Sequence, residues 1–248
     1  MDKEVFVAHY QNTDVEAENI YNAQSIARDC LEYMTGFLKP GMNRKTVHEE
    51  CARYMNEKGS EGWWIHNDPA LILFGELSTY SAHEDPSPLF AGKKIGENDL
   101  ITIDVAPMIG NGWGDMARSF VMEKGKIISW ELSENEEIRA GMELEMRLHR
   151  LFIDSIRPGM TFSALHRLID DQVKEAGYRN CDYHGNYGHT IENDQKDRVT
   201  IAEGVDVDII GYDKPITFEP HICRIGGTLG IKHENMYAYI NGKMEDIL

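Results

Sequence analysis

The chain has 248 residues, of which 42% are hydrophobic, and its 42 Asp and Glu against 25 Lys and Arg give a formal net charge of -17. This length can bury one sizeable core, or two small lobes that share one, whereas the acidic surplus argues against nucleic acid as a partner because phosphate binding needs clustered Lys and Arg. Neither a signal peptide nor a membrane span of roughly 20 apolar residues is expected, and the four cysteines, far apart and without a Cys-x-x-Cys pair, are typical of free thiols in the cytoplasm.

The N-terminal half starts with two predicted helices. A capping box, Thr13-x-x-Glu16, begins the first helix, and apolar residues continue at near-helical spacing to Phe37. The Pro-Gly pair at 40–41 ends this helix. A second helix then runs to Gly59, which is well placed to cap its C-terminal end.

The C-terminal half repeats this arrangement. Residues 38–42 resemble residues 156–160 at an offset of 118, and further identities keep the same register. A second capping box, Ser133-x-x-Glu136, is expected to begin a helix. The helix after the second Pro-Gly pair is expected to stop at Gly177.

In-register identities of this kind indicate duplicated structural units. We place the two units at residues 14–122 and 133–240. Because no Pro-, Gly- or Ser-rich linker separates them, we expect residues 1–248 to form a single catalytic domain.

Each helix pair is followed by sequence rich in β-branched and aromatic residues, which is typical of strands. The predicted strands are Leu71–Phe74, Asp99–Ala106, Ala117–Met122, Pro215–Glu219, Gly230–Glu234 and Met236–Ile240. Helices followed by strands, twice over, predict an α+β fold with pseudo-twofold symmetry. In this fold the helices cover one face of a curved antiparallel sheet.

Three common catalytic motifs are absent from the sequence. No His-Glu pair continues as His-Glu-x-x-His, so a helix-borne zinc site is not expected. No Gly-x-Ser-x-Gly elbow offers a serine nucleophile. The glycine-rich run at 226–230 leads into a strand rather than from a strand into a helix, which argues against a phosphate loop.

Acidic side chains on or beside predicted strands are the remaining candidates. They are Asp104, Asp115, Glu219 and Glu234. Because a buried carboxylate without a partner is energetically costly, such a residue normally meets a cation or a strong donor. Each one alone fits a strand-end salt bridge, but four of them in one order with His189 indicate a metal site.

These residues resemble the motifs of the pita-bread-fold metallopeptidases, a family that includes methionine aminopeptidase, aminopeptidase P and prolidase. The family motifs run Ile-Asp-x-Gly, Gly-Tyr-x-x-Asp-x-x-Arg-Thr-Phe, Gly-His-Gly-Ile-Gly, Thr-x-Glu-Pro and Arg-Ile-Glu-Asp. The matching segments are Ile103-Asp104-Val105-Ala106, Gly112-Trp113-Gly114-Asp115-Met116-Ala117-Arg118-Ser119-Phe120, Gly188-His189-Thr190-Ile191-Glu192, Thr217-Phe218-Glu219-Pro220 and Lys232-His233-Glu234-Asn235. The resemblance covers nearly the whole chain and implies the pita-bread (creatinase/aminopeptidase) fold.

The resemblance also implies a site for two divalent metal ions. Asp104 would bind one ion, and His189 and Glu219 the other. Asp115 and Glu234 would bridge the two. Manganese, cobalt, iron and zinc all suit oxygen ligands with one nitrogen. The ions would activate a shared water for attack on a polarised carbonyl, with Glu219 as the catalytic group that transfers the proton.

Members of the family have a further histidine upstream of the first aspartate, which contacts the substrate. His83 is the expected catalytic counterpart. His66 is the alternative, because the spacing from His83 to Asp104 is a few residues longer than is usual in the family.

The sequence departs from the family pattern close to the metal-binding histidine. Thr190 and Glu192 replace two glycines, and Lys196 replaces a second histidine that helps to hold the scissile group. His184 and His221 are alternatives for that role. The separate N-terminal domain of aminopeptidase P and prolidase is also absent from this sequence.

Three functions follow from these motifs. The leading hypothesis is an aminopeptidase or dipeptidase that acts on short peptides and prefers an Xaa-Pro bond. The second is a non-peptidase metalloenzyme on the same fold that acts on a small amide or amino-acid-like metabolite. The third is a non-catalytic binding protein, against which the intact ligand set argues. Because the relatives are often dimers, a homodimer is left open.

Overall fold

The computed structural model of the chain describes residues 1–64, 68–81 and 87–248. The α-helices within these ranges are α1 Lys3–Tyr10, α2 Ala17–Phe37, α3 Arg44–Glu57, α4 Glu136–Ser155 and α5 Phe162–Glu175. In the part of the chain that is described, no helix combines the length and the apolar character that crossing a membrane requires.

The strands of the described residues form four antiparallel sheets, with the orders β2-β3-β6-β7, β1-β4-β5, β11-β10-β8 and β13-β12-β9. Their bounds are β1 Gly62–Trp63, β2 Leu71–Phe74, β3 Asp99–Val105, β4 Pro107–Ile109, β5 Gly112–Trp113, β6 Met116–Glu123, β7 Lys126–Ile128, β8 Tyr178–Asn180, β9 Ile216–Phe218, β10 His221–Arg224, β11 Gly230–Lys232, β12 Asn235–Ile240 and β13 Lys243–Asp246. Two isolated bridges add to this pairing: one joins Arg118 on β6 to His233, and the other joins Thr190 to Ile216 on β9.

The predicted mixture of helices and antiparallel strands is confirmed. The six predicted strands correspond to β2, β3, β6, β9, β11 and β12, and their ends differ by at most two residues. The missed strands have two to four residues each, which is too short for an alternating pattern to be recognised.

The helix that follows each Pro-Gly pair has the same position in its half of the chain. Both α3 and α5 have 14 residues, and their side-chain caps, Asn43 and Thr161, lie at the offset of the sequence repeat. Gly59 and Gly177 follow these helices with φ of 100° and 80°, which is the left-handed conformation that ends a helix. Duplication and the single-domain organisation stay predictions.

Both predicted capping boxes are wrong. Helix α2 begins at Ala17 after Glu16, and the Thr13 hydroxyl instead accepts the N–H of Val15 in the preceding turn. Helix α4 is capped by Asn135. The Ser133 hydroxyl donates to Glu123, which is on β6, so tertiary contacts override the local pattern there.

Each helix pair packs on its own group of strands. Helices α2 and α3 bury side chains such as Met34 and Val47 against β2 and β3. Helices α4 and α5 bury Leu148 and Phe152, among others, against β9, β10 and β11. Each such side chain contributes about 1.5–3 kcal/mol on burial. The helices therefore hold the strands from one side and leave their other side for the polar site.

Helix α2 also lies directly against the turn between β5 and β6. A Cβ on Gly112 would lie 2.6 Å from the backbone N of Ile20, and one on Gly114 would lie 2.6 Å from the backbone N of Gln24. The close approach therefore requires glycine at both positions.

We expect Gly114→Ala to lower the free energy of unfolding by about 1–3 kcal/mol, because the added methyl group meets helix backbone that cannot move aside. Gly36→Ala in the same helix is the matched control. Its Cβ would meet nothing within 4 Å, so it should stabilise the chain by about 0.5–1 kcal/mol. Urea unfolding of both variants tests this, and equal midpoints for Gly114→Ala and the unaltered chain would contradict it.

Candidate metal centre

Three of the predicted ligands converge because their strands are neighbours. Asp104 on β3 lies opposite Ala117 on β6, and the Glu234 N–H donates to the Ala117 carbonyl at 3.0 Å. Asp115 immediately precedes β6. One ligand atom from each of Asp104, Asp115 and Glu234 lies within 4.8 Å of the others.

The other two predicted ligands, His189 and Glu219, lie beside β9 and directly after it. The Thr217 N–H donates to the His189 carbonyl at 2.8 Å, which sets His189 beside β9, and Glu219 follows that strand directly. The His189 Nε2 atom lies 3.6 Å from Asp115 Oδ2 and 3.5 Å from Glu219 Oε1. The structure therefore brings all five predicted ligands together, while their individual roles stay predictions.

Hydrogen bonding leaves the ligand atoms available for a cation. His189 Nδ1 donates to the Thr190 carbonyl at 3.1 Å, so Nε2 is the unprotonated nitrogen and faces the carboxylates. Asp104 Oδ1, Asp115 Oδ1 and Glu234 Oε1 are buried and have no hydrogen-bond partner among the described residues. Because buried polar atoms are rarely left without a partner, these oxygens fit a bound metal.

Lys232 lies within this cluster of acids. Its Nζ is 2.6 Å from Asp104 Oδ2, 2.8 Å from Glu219 Oε2 and 3.3 Å from Glu234 Oε2. No role for Lys232 is predicted from the sequence. The strand pattern could have indicated that Lys232 lies near the site, because alternation along a strand places residues 232 and 234 on the same face.

The charges of the cluster depend on one another. Burial opposes the charge on Lys232, but Asp104, Glu219 and Glu234 outweigh it and hold the pKa of the ammonium well above its ordinary value. Burial alone would raise the pKa of Glu219, but the charge of Lys232 and its hydrogen bond bring the pKa below the ordinary value. Glu219 and Lys232 therefore form an ion pair.

For the more deeply buried Asp115, Glu234 and His189, burial outweighs the opposite charges nearby and favours the uncharged form. Burial, together with neighbouring carboxylates, raises the pKa of Asp115 and of Glu234 well above the ordinary range. Burial also lowers the pKa of His189 to about 4. The imidazole is therefore neutral at physiological pH, as a metal ligand must be, and the carboxylates need a further cation to become ionised together.

The departures from the family motifs lie beside this cluster rather than in it. The Thr190 hydroxyl donates to Glu192 Oε1 at 2.8 Å, so the two buried side chains satisfy each other. Lys196 is on the surface and pairs with Asp194 at 2.8 Å, with 75% of its side chain exposed. It does not replace the second histidine of the family.

The alternative histidines have different positions. His221 is buried and its Nε2 donates to the Ser78 carbonyl at 2.7 Å, whereas His184 is exposed. A role for either in holding the scissile group stays a prediction. His83 and His66, the two candidates for the substrate-contacting histidine, lie outside the described residues.

An aromatic wall adjoins the His189 side of the cluster. Trp64 and Trp113 stack with ring centroids 3.4 Å apart, and the His189 ring lies 5.7 and 5.8 Å from them. The Arg198 guanidinium lies over the Trp64 ring at 4.8 Å, and its charge lowers the pKa of Glu219. Neither tryptophan nor this arginine was assigned to the site from the sequence.

We expect Lys232→Met to lower the free energy of unfolding of the metal-free chain by about 3–5 kcal/mol, because buried carboxylates lose their cation. Added Mn²⁺ should then raise the melting temperature of this variant more than that of the unaltered chain, since the ion replaces the lost charge. Lys214→Met is the matched control. Lys214 is similarly buried, with 14% of its side chain exposed against 12% for Lys232, but its partners Asp14 and Glu192 lie outside the cluster. Its response to Mn²⁺ should therefore be unchanged. A Lys232→Met melting temperature that Mn²⁺ does not raise would contradict the assignment.

Comparison with known proteins agrees with this geometry. The model of metallopeptidase family M24 matches residues 18–239. The chain is 25% identical over 220 residues to the Xaa-Pro dipeptidase of Pyrococcus furiosus, a match that covers 87% of this chain and 57% of that protein. An uncharacterized peptidase of Staphylococcus epidermidis is 23% identical over 235 residues, with 88% and 62% covered. The chain thus spans about three fifths of the length of these relatives.

Solved structures show the same fold. The prolidase from Pyrococcus furiosus has a TM-score of 0.76 at 21% identity and covers 100% of this chain and 67% of its own. The X-Pro aminopeptidase from Thermotoga maritima has a TM-score of 0.76 at 18% identity, with 100% and 64% covered. The chain belongs to metallopeptidase family M24 and has the pita-bread fold.

Proposed function

We propose that the chain is a dinuclear metal-dependent hydrolase of short peptides, an aminopeptidase or dipeptidase that prefers an Xaa-Pro bond. One observation carries the proposal: four carboxylates and a neutral imidazole converge, and several of their buried oxygens have no partner among the described residues. Two divalent ions would balance the four negative charges. Lys232 then leaves the loaded site with a net charge of +1, which favours an electron-rich carbonyl.

The donor set suits manganese, cobalt, iron or zinc, since it offers carboxylate oxygens and one imidazole nitrogen. Asp104 would hold one ion and His189 with Glu219 the other, and Asp115 and Glu234 would be shared between them. Ions held in this way would supply an activated water and polarise a carbonyl.

Glu219 is the carboxylate best placed to move a proton. Its side chain is 18% exposed, against 6% for Asp104, 3% for Asp115 and 0% for Glu234, so it is the most exposed of the four carboxylates. Lys232 holds Glu219 Oε2 at 2.8 Å. Oε1 faces His189 Nε2 at 3.5 Å and would be the oxygen for the ion, and the same carboxylate would pass a proton to the leaving amine.

The preference for Xaa-Pro bonds is supported by relatives named as an Xaa-Pro dipeptidase and a prolidase. The four cysteines are buried free thiols within the described residues, which is compatible with the cytoplasmic location that we propose. A homodimer stays a prediction.

One observation favours the second candidate, a metalloenzyme acting on a small amide or amino-acid-like metabolite. The family's second histidine, which helps to hold the scissile group, has no counterpart at Lys196, and this lysine pairs with Asp194 on the surface. A different scissile group is therefore compatible with the site.

We expect the Mn²⁺- or Co²⁺-loaded chain to hydrolyse Xaa-Pro dipeptides faster than the matching Xaa-Ala dipeptides. Asp115→Asn should lower this turnover at least about 100-fold, because even partners that only support metal ligands are worth 10- to 100-fold. Asp194→Asn, a surface carboxylate in a nearby segment, is the control and should keep full activity. Release of the free amino acids measures turnover.

The other outcomes separate the hypotheses. Bound metal with no hydrolysis of any peptide would favour the metabolite enzyme. If the purified chain takes up no divalent metal, both enzyme hypotheses are wrong and the non-catalytic binding protein remains. Full activity of Asp115→Asn would show that Asp115 is not a bridging ligand.

A further inference from the structure

Asp115 lies at a break in the sheet. It falls between β5, which ends at Trp113, and β6, which begins at Met116. Its N–H and carbonyl are therefore outside the strand ladders that satisfy the neighbouring backbone. Burial of a backbone group without a partner is energetically costly. Here both groups belong to Asp115, a predicted bridging ligand.

The side chain of Gln24, on α2, supplies both missing partners. The Asp115 N–H donates to Gln24 Oε1 at 2.8 Å, and Gln24 Nε2 donates to the Asp115 carbonyl at 3.1 Å. A carboxamide offers one donor and one acceptor side by side, as a paired strand residue does. The carboxylate of Asp115 takes no part in these bonds and stays available for a metal.

The position of Gln24 is set by tight packing. The close contact of Gly112 and Gly114 with α2 brings the helix backbone up to this turn, and Gln24 is fully buried among apolar residues of the helix such as Ala23 and Ala27. A glutamine on an apolar helix face costs stability unless its amide is hydrogen-bonded. The two bonds to Asp115 give a partner to both the oxygen and the nitrogen of the amide.

We propose that Gln24 is a positioning residue: it fixes the backbone of Asp115 and thereby the direction of its carboxylate toward the metal centre. The inference rests on the proposed metal centre for its functional meaning. If Gln24 has this role, the packing of α2 and the affinity for metal are coupled through the Gln24 side chain. Glutamine is required because a purely apolar residue of the same length leaves both backbone groups unpaired.

Gln24→Met tests the proposal, since methionine matches glutamine in length but lacks the amide. Titration of the metal-free protein with Mn²⁺ should show binding about 10- to 100-fold weaker than in the unaltered chain. Amide hydrogen exchange, followed by NMR, should be about tenfold faster at the Asp115 N–H, as loss of one buried hydrogen bond predicts.

Leu31→Ala is the matched control, because Leu31 is buried two turns further along the same helix. It should lower the melting temperature at least as much as Gln24→Met does but leave the affinity for Mn²⁺ and the exchange at Asp115 unchanged. A general loss of helix packing would instead weaken Mn²⁺ binding equally in both variants, which would overturn the proposal.

Two further results are decisive. A folded Gln24→Met variant with unchanged Mn²⁺ affinity and unchanged exchange at Asp115 would overturn the positioning role. If the unaltered chain takes up none of Mn²⁺, Co²⁺, Fe²⁺ and Zn²⁺, the proposed hydrolase fails, and the exchange rate at Asp115 alone then decides whether Gln24 holds this backbone.

Discussion

The burial of four carboxylates around one ammonium group is the constraint on which the rest of this structure depends. Charges removed from water are stable only with well-placed partners, and Lys232 reaches three of the four acids. The acids lie on or beside separate strands, so the site exists only when those strands are correctly paired. Function and the integrity of the fold are therefore difficult to separate in this chain.

Strand pairing supplies the accuracy that such a cluster needs. Asp104 lies opposite Ala117, and Glu234 is bonded to the same residue through its backbone. Arg118 donates to the Glu234 carbonyl at 2.6 Å, so the main chain of that ligand is held from both sides. Rigid elements place side chains more accurately than loops do. This explains why the acids lie at strand ends and strand breaks close to the helix-packed core.

The candidate ligands could be predicted from the sequence because an acid on or beside an apolar strand is unusual, and four such acids together with His189 in a known order are specific. The strands that carry them were also recognisable from local composition. Lys232 was not, because a lysine on a strand is normally exposed and its meaning depends on partners from distant segments. Gln24 and the aromatic wall were missed for the same reason. The predicted cap at Ser133 is wrong because the hydroxyl bonds to Glu123 instead. This tertiary contact cannot be seen in the local sequence pattern.

The stacked indoles of Trp64 and Trp113 have a spectroscopic consequence. Two indoles with centroids 3.4 Å apart couple their excited states, so this pair should contribute to the near-ultraviolet circular dichroism of the chain. The His189 ring lies within 6 Å of both, and a paramagnetic ion on that imidazole would quench their emission. The pair would thus serve as an intrinsic optical reporter for the occupancy of the candidate metal centre.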